Sequence, residues 1–168
     1  MRRTILLLLG ITLSACVQEQ PTLTTTAAFN PAEVAWATRP GTNTVQGFAV
    51  LRTVGGEART CAGLEMRLIP DSSYARERMM SLYGNLSVGS RPIGGSRFGV
   101  TDSDYLATSK SARCDGQGNF TFEQIADGTW YVAGAISWMI GNDPRPQGAN
   151  MMKRIEVRGG QTVKVSLP

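Results

Sequence analysis

The sequence of 168 residues contains no histidine, and this absence narrows the activities open to the protein. Ser-His-Asp and Cys-His catalysis both use an imidazole to accept a proton, and histidine nitrogen is a common ligand of catalytic metals. An enzyme built on this chain would depend on carboxylates, lysine or a cysteine thiolate. No G-x-S-x-G motif and no phosphate-binding loop accompanies such residues. The sequence therefore predicts a protein that is not an enzyme and uses no cofactor.

The sequence also has few clusters of residues with the same charge. The formal net charge is +4, and it includes Arg2 and Arg3, which lie in a segment that we expect to be removed. The other basic residues are scattered along the chain rather than gathered in runs. Nucleic-acid-binding proteins usually cluster Lys and Arg on one surface, so no nucleic-acid partner is predicted.

Long apolar runs are absent except near the start, where residues 5–13 are mostly Leu and Ile. This run is too short to span a bilayer as a mature helix. Because it follows Arg2 and Arg3, residues 1–15 are predicted to be a secretory signal peptide. The last three residues of the signal and the cysteine that follows, the letters LSAC at 13–16, resemble the lipobox of bacterial lipoproteins. That resemblance implies cleavage before Cys16, a diacylglycerol on its sulfur, acylation of its amine, and membrane lipid as a partner.

The residue after the lipid attachment site bears on localisation. In the enteric sorting rule an aspartate at this position holds a lipoprotein in the inner membrane, and this chain has Val17 instead. We therefore expect an outer-membrane protein facing the periplasm. The alternative is an ordinary signal peptide followed by a chance cysteine.

Residues 16–42, rich in Thr, Ala and Pro, are predicted to be a lipidated N-terminus and flexible tether with some order near Trp36.

Residues 43–168 have the pattern of a mainly β domain. Short segments alternate apolar and polar residues and are separated by glycine turns. One short helix is predicted near 73–83, because apolar residues there follow helical spacing and Gly84 suits the end of a helix. A parallel α/β fold would need more crossover helices. The pattern favours a β-sandwich of about seven strands. Residues 85–104 form its longest irregular stretch, where functional variation is expected.

Several segments of this domain match a known set of hairpins. The letters DGQGNFTF at 115–122, IADGTWYV at 125–132 and VRGGQTV at 157–163 resemble carboxypeptidase regulatory-like domains. The opening strand of that family resembles CAGLEMRL at 61–68. The resemblance covers about residues 45–168 and implies a transthyretin-like, Greek-key β-sandwich. Members of this family are usually binding, spacer or assembly modules and not catalysts.

The glycine-rich segment that begins at Asp115 has two interpretations. We predict structural turns at Asp115, Gly116, Gly118 and Gly128, in which the aspartate accepts hydrogen bonds from turn amides and the glycines adopt unusual torsions. The alternative is a calcium loop. The segment lacks the later ligands of such a loop, so no metal site is predicted here.

A second weak metal motif lies at Asp102 and Asp104. Aspartates two residues apart point to one side of a strand, where both carboxylates would be available to a metal ion. Such a pair is more often a solvated turn. The sequence therefore predicts no metal site.

Two cysteines remain once Cys16 is lipidated. Exported proteins meet an oxidising compartment, so Cys61 and Cys114 are predicted to form a disulfide. The alternative is a reactive thiol pair, but no histidine is present to activate it.

Together these features predict a non-enzymatic, membrane-anchored lipoprotein of the bacterial envelope that binds a protein partner or assists assembly through its β-sandwich. One alternative is an accessory lipoprotein of a secretion apparatus. Another is a carbohydrate- or peptidoglycan-binding module that uses Trp130, Tyr131 and Trp138 as ligand-contact aromatics. Alternation places Trp130 and Trp138 on one face of a strand and Tyr131 on the other. Their apolar neighbours argue instead for burial in the core.

Overall fold

Strands dominate the computed structural model, which describes residues 20–167; the predicted signal peptide and Cys16 lie outside these residues. The strands are β1 (Thr22–Leu23), β2 (Asn43–Arg52), β3 (Ala58–Thr60), β4 (Glu65–Pro70), β5 (Val88–Pro92), β6 (Arg97–Phe98), β7 (Lys110–Arg113), β8 (Asn119–Ile125), β9 (Gly128–Trp138), β10 (Gln147–Val157) and β11 (Thr162–Leu167). The helices are α1 (Pro31–Val34), α2 (Ser73–Tyr83) and α3 (Ser103–Ala107), with a 3-10 helix at Ala35–Thr38. The mainly β fold class is confirmed.

The strands form two main sheets. The five-stranded sheet has the order β5-β10-β9-β4-β7, and all its neighbours are antiparallel. In the other sheet β2 pairs with β3 and β8 in antiparallel fashion and with β11 in parallel fashion. A separate pair joins β1 to β6. The prediction of about seven strands missed β1, β3, β5 and β6, because two- and three-residue strands cannot show alternation and β5 contains Gly and Pro.

The core lies between the two main sheets. It contains Trp130 and Val132 from β9, Met66 and Leu68 from β4, and the inward side chains of β2, β8 and β11. Burying each of these large side chains stabilises the fold by about 1.5–3 kcal/mol before the entropy of ordering is subtracted. This double layer is the predicted β-sandwich.

Helix α2 covers the outer face of the five-stranded sheet, and its predicted position near 73–83 is confirmed. Ser72 caps its start by accepting a hydrogen bond from the Ala75 amide at 3.1 Å. Gly84 ends it in the left-handed conformation, with φ of 64°, and donates to the carbonyl of Met80. Tyr131 packs beneath this helix in a second apolar cluster. The short helices α1 and α3 were not predicted, because a single helical turn has no detectable period.

The structure differs from a flexible tether at residues 20–42. Val34 and Ala37 are buried against the domain, and the carboxylate of Glu77 accepts hydrogen bonds from the amides of Thr26 and Ala27 at 2.7 and 2.9 Å. The predicted order near Trp36 is part of this docking. A polar, aperiodic segment becomes ordered here because the folded domain supplies its apolar and charged partners.

None of the helices described within residues 20–167 is long and apolar enough to cross a membrane.

Candidate ligand-binding site

The segment beginning at Asp115 forms a closed turn. Oδ1 of Asp115 accepts hydrogen bonds from the backbone amides of Gln117 and Asn119 at 2.9 and 2.8 Å. The Asn119 side chain also donates to this carboxylate, and these bonds hold the pKa of Asp115 below its usual value. The carboxylate oxygens are therefore occupied by the turn that they stabilise, as the structural interpretation predicts.

The three glycines of the predicted turns are not equivalent. Gly118 has φ of 91°, and a Cβ there would lie 2.6 Å from the Cβ of Thr60. Gly128 has φ of 152°, and a Cβ there would lie 2.2 Å from the ring of Trp36. Gly116 has no positive φ and open space around it. Gly118 and Gly128 therefore require glycine, whereas Gly116 does not.

The other weak metal motif is a helix cap. Asp102 Oδ1 accepts hydrogen bonds from the amides of Asp104 and Tyr105 at 2.9 and 3.1 Å, at the start of α3. Within residues 20–167 no group of three or more metal-ligating side chains comes together. Asp102 and Asp104 therefore lie at the start of a helix. They do not lie on a strand, which was the arrangement that the metal alternative required.

Cys61 and Cys114 form the predicted disulfide, with an S–S distance of 2.06 Å and Cα atoms 5.8 Å apart. Both residues are buried. The bond ties the chain just before β4 to the chain just after β7, on either side of the segment that carries α2, β5, β6 and α3. The alternative of a reactive thiol pair is excluded by this bond.

Only one of the three predicted ligand-contact aromatics reaches the surface. Trp130 and Tyr131 are 0% exposed, and the Trp130 Nε1 donates to the carbonyl of Ala126 at 3.2 Å. Burial in the core, which their apolar neighbours favoured, is therefore confirmed for these two residues, and their alternative role as ligand contacts is wrong. β9 is a central strand covered by the opposite sheet on one face and by α2 on the other, so alternation buries both faces. Trp138, at the end of β9, is half-buried.

Trp138 lies in a groove of about 810 Å³ at one end of the sandwich, called here the Trp138 groove. Two stretches of chain face each other across it: residues 51–59, between and within β2 and β3, and residues 138–149, between and within β9 and β10. Val54, Met139 and Ile140 form an exposed apolar rim. The groove combines an aromatic floor with apolar edges, a combination common in ligand sites.

Polar side chains also converge on the Trp138 groove. The guanidinium of Arg59 lies 5.7 Å from the Trp138 ring centroid, a cation-π contact, and Arg59 pairs with Glu57 at 2.9 Å. Arg52 and Gln147 line the same groove. These groups offer both hydrogen-bond donors and acceptors beside an indole ring.

Sequence reasoning missed the residues that surround Trp138. They come from two distant loops that meet only after the sheets have packed, so no local spacing connects them. One available signal was the letters WMIGND at 138–143, in which apolar residues continue past the end of a strand into a glycine turn.

A second groove of about 900 Å³ adjoins the first. Pro92, Gln147 and Gly148 line both of them. Its walls include β5, β6 and the loop between them, which belong to the 85–104 stretch singled out in the sequence.

Comparison with solved structures found a likeness in fold. The fold is similar to the crystal structure of a proposed carbohydrate binding protein from Pseudomonas aeruginosa, with a TM-score of 0.69 and 24% sequence identity. The match covers 84% of this chain and 97% of the other. No family model matches the sequence. No curated protein matches it either. At this identity the likeness establishes the β-sandwich fold and nothing finer.

Proposed function

We propose that this protein is a carbohydrate-binding module and that the Trp138 groove receives the sugar. The observation that carries the proposal is the position of Trp138, half-buried in a groove with Arg52, Glu57, Arg59 and Gln147 around it. The apolar C–H face of a sugar ring packs against an indole, while its hydroxyls bond to planar polar side chains. The structurally similar protein, itself proposed to bind carbohydrate, supports this assignment.

We propose that the module acts by binding alone, in keeping with a sequence that has no histidine and no G-x-S-x-G motif. In this proposal the lipid on Cys16 anchors the protein to a bacterial membrane. The expected location is the outer membrane, with the protein facing the periplasm. Glycans of the envelope, including peptidoglycan, are then the sugars within reach. The hairpin motifs support membership of the carboxypeptidase regulatory-like family as part of the same proposal.

A glycan array followed by calorimetric titration tests this function. The full-length protein is screened against an array that includes peptidoglycan fragments, and the affinity of each binder is measured by calorimetry. Trp138→Ala is expected to weaken binding at least about tenfold, the loss that follows from removing roughly 1.4 kcal/mol of contact. Val100→Ser, which changes an exposed apolar residue outside the groove, is the control and should bind like the wild type.

Absence of binding to any glycan, with circular dichroism showing a folded protein, would refute the proposal. Unchanged affinity in Trp138→Ala would refute the assignment of the groove.

A protein-binding or assembly role is the second candidate, and the exposed rim favours it. Val54, Met139 and Ile140 present apolar side chains to solvent close together, as at the centre of a protein interface. An accessory role in a secretion apparatus is one version of this candidate. Crosslinking in cells tests it: one abundant envelope partner, captured by wild type and Val100→Ser and lost in Val54→Ser, would support it over sugar binding.

A further inference from the structure

The second groove, called here the arginine groove, is lined by positively charged side chains. Arg78, Arg91, Arg97 and Arg145 line it, and no aspartate or glutamate of residues 20–167 does. They come from α2, from β5, from β6 and from the loop before β10. Tertiary packing has therefore gathered arginines that are scattered in the sequence.

Arg78 is buried without a carboxylate partner. Its side chain is 9% exposed, and its guanidinium carbon lies 3.9 Å from the ring centroid of Phe98. It donates to the Tyr74 hydroxyl at 3.3 Å and to the Thr101 hydroxyl at 3.1 Å. No acidic group within residues 20–167 lies at ion-pair distance from it. A buried charge normally has a paired counter-ion, because desolvation is costly.

The tyrosines around Arg78 do not supply the missing negative charge. Burial raises the pKa of Tyr105 to about 12, even though the nearby Arg78 acts to lower it. Burial also raises the pKa of Tyr83, which lines the groove, to about 12. Both phenols are therefore neutral at neutral pH. Arg78 has aromatic and hydroxyl contacts, but no anionic partner among residues 20–167.

The neighbouring arginines add to this charge. Arg91 donates only to the carbonyl of Ser96, and Arg97 is exposed on β6; neither forms an ion pair among the residues that the structure describes. Arg145 pairs with Asp143 at 3.2 Å. A guanidinium fork matches the geometry of carboxylate, phosphate and sulfate oxygens.

We infer that the arginine groove binds the oxyanion substituent, carboxylate, phosphate or sulfate, of an acidic saccharide. The inference rests on the proposed function and names its substrate class. The two grooves share Pro92, Gln147 and Gly148 and are therefore adjacent, and in this inference one saccharide occupies both. Arg78 lies at the buried end of the site, and Arg97 lies at its solvent side.

Matched pairs of saccharides test this inference. Hexagalacturonate and its full methyl ester differ in charge on one backbone, as do a sulfated and an unsulfated cello-oligosaccharide. Calorimetric titration of the full-length protein should show each acidic form binding about tenfold more tightly than its neutral partner, or better. Arg97→Gln and Arg78→Gln should remove that difference. Arg39→Gln, which changes an exposed arginine outside both grooves, should keep it.

Inorganic phosphate serves as an independent probe. Amide chemical shifts of β5 and β6 should move with phosphate and not with chloride at equal ionic strength. Arg97 is exposed, so Arg97→Gln tests the site even if Arg78→Gln fails to fold.

Three results would overturn the inference. Equal affinity for acidic and neutral forms would do so while leaving the Trp138 groove as a neutral-sugar site. A charge preference that Arg97→Gln leaves intact would place the anion elsewhere. Phosphate binding without binding of any saccharide would show an oxyanion site for another source and would remove the proposed function as well.

Discussion

Trp36 and Trp130 meet edge to face, with ring centroids 5.1 Å apart and planes inclined at 77°. Trp130 is fully buried in the core, so this contact joins the N-terminal segment to the centre of the sandwich. Gly128 lies directly beneath the Trp36 ring. The segment that follows the predicted lipid anchor is therefore part of the folded domain here, as it already is at β1 and at Thr26.

The contact between Gly128 and Trp36 predicts a coupled pair of mutants. Gly128→Ala should destabilise the protein by about 1–3 kcal/mol, because φ of 152° is strained for alanine and its Cβ would collide with Trp36. In a Trp36→Ala background the steric part of that cost should disappear. Urea denaturation of the two single mutants and the double mutant measures the coupling. Strictly additive effects would show that Trp36 does not pack on Gly128 in solution.

The turn at Asp115 predicts opposite outcomes for neighbouring glycines. Gly118→Ala should destabilise by about 1–3 kcal/mol, because φ is 91° and the new Cβ would meet Thr60. Gly116→Ala should be close to neutral, because its Cβ would point into open space. Thermal unfolding of both mutants is the measurement. Equal destabilisation of the two would contradict this turn geometry.

The disulfide predicts a large loss of stability on reduction. The bond closes a loop with a sequence separation of 53, which corresponds to roughly 4 kcal/mol in the chain-entropy model. The double mutant Cys61→Ser/Cys114→Ser should therefore unfold at lower urea concentration, and dithiothreitol should affect the wild type alone. A reduced protein as stable as the oxidised one would argue against this account. Mass spectrometry of the unreduced protein provides the control for bond formation.

The carboxylate of Glu77 predicts release of the N-terminal segment in acid. Hydrogen bonds from the Thr26 side chain and from the Thr26 and Ala27 amides lower its pKa in the folded state. A group with a lowered folded pKa stabilises the fold above its unfolded pKa, about 4.3, and that contribution is lost as pH falls through the folded value. Protection of the Thr26 and Ala27 amides from hydrogen exchange should therefore decrease as the pH is lowered below about 4.3.

Glu77→Gln should loosen the same amides already at neutral pH. Glu123→Gln should not, because the exposed Glu123 side chain makes no hydrogen bond among the described residues. Protection factors from hydrogen exchange compare the variants. Protection at Thr26 that is independent of pH and of Glu77→Gln would mean that other contacts hold the segment.

Much of the fold could be predicted from short stretches of the sequence. Helix α2 was placed correctly because its start, its apolar spacing and its final glycine all lie within a dozen or so residues, as is usual for helices. The turn at Asp115 was likewise predicted from adjacent residues. The disulfide followed from chemistry, since two exported cysteines remained. Short strands such as β1 and β6 were missed because two residues cannot show alternation.

The candidate site was harder to predict from the sequence than the fold. Apolar neighbours favoured burial of Trp130, Tyr131 and Trp138 alike, and nothing local showed that Trp138 would line a groove. The first two are buried because β9 lies at the centre of a covered sheet. Arg59 became relevant because β3 brings it over Trp138. The arginine groove was invisible because an isolated arginine in a helix or an edge strand carries no signal about its neighbours.

The sequence alone determined the β class, one capped helix, the pairing of Cys61 with Cys114 and the exclusion of histidine chemistry. Each of these follows from residue type or from spacing over a few positions. Tertiary structure decided which aromatic reaches solvent, where residues 20–42 dock, and that Arg78, Arg91 and Arg97 share one groove. Burial and charge clustering depend on which distant segments pack together, and only the folded chain specifies that.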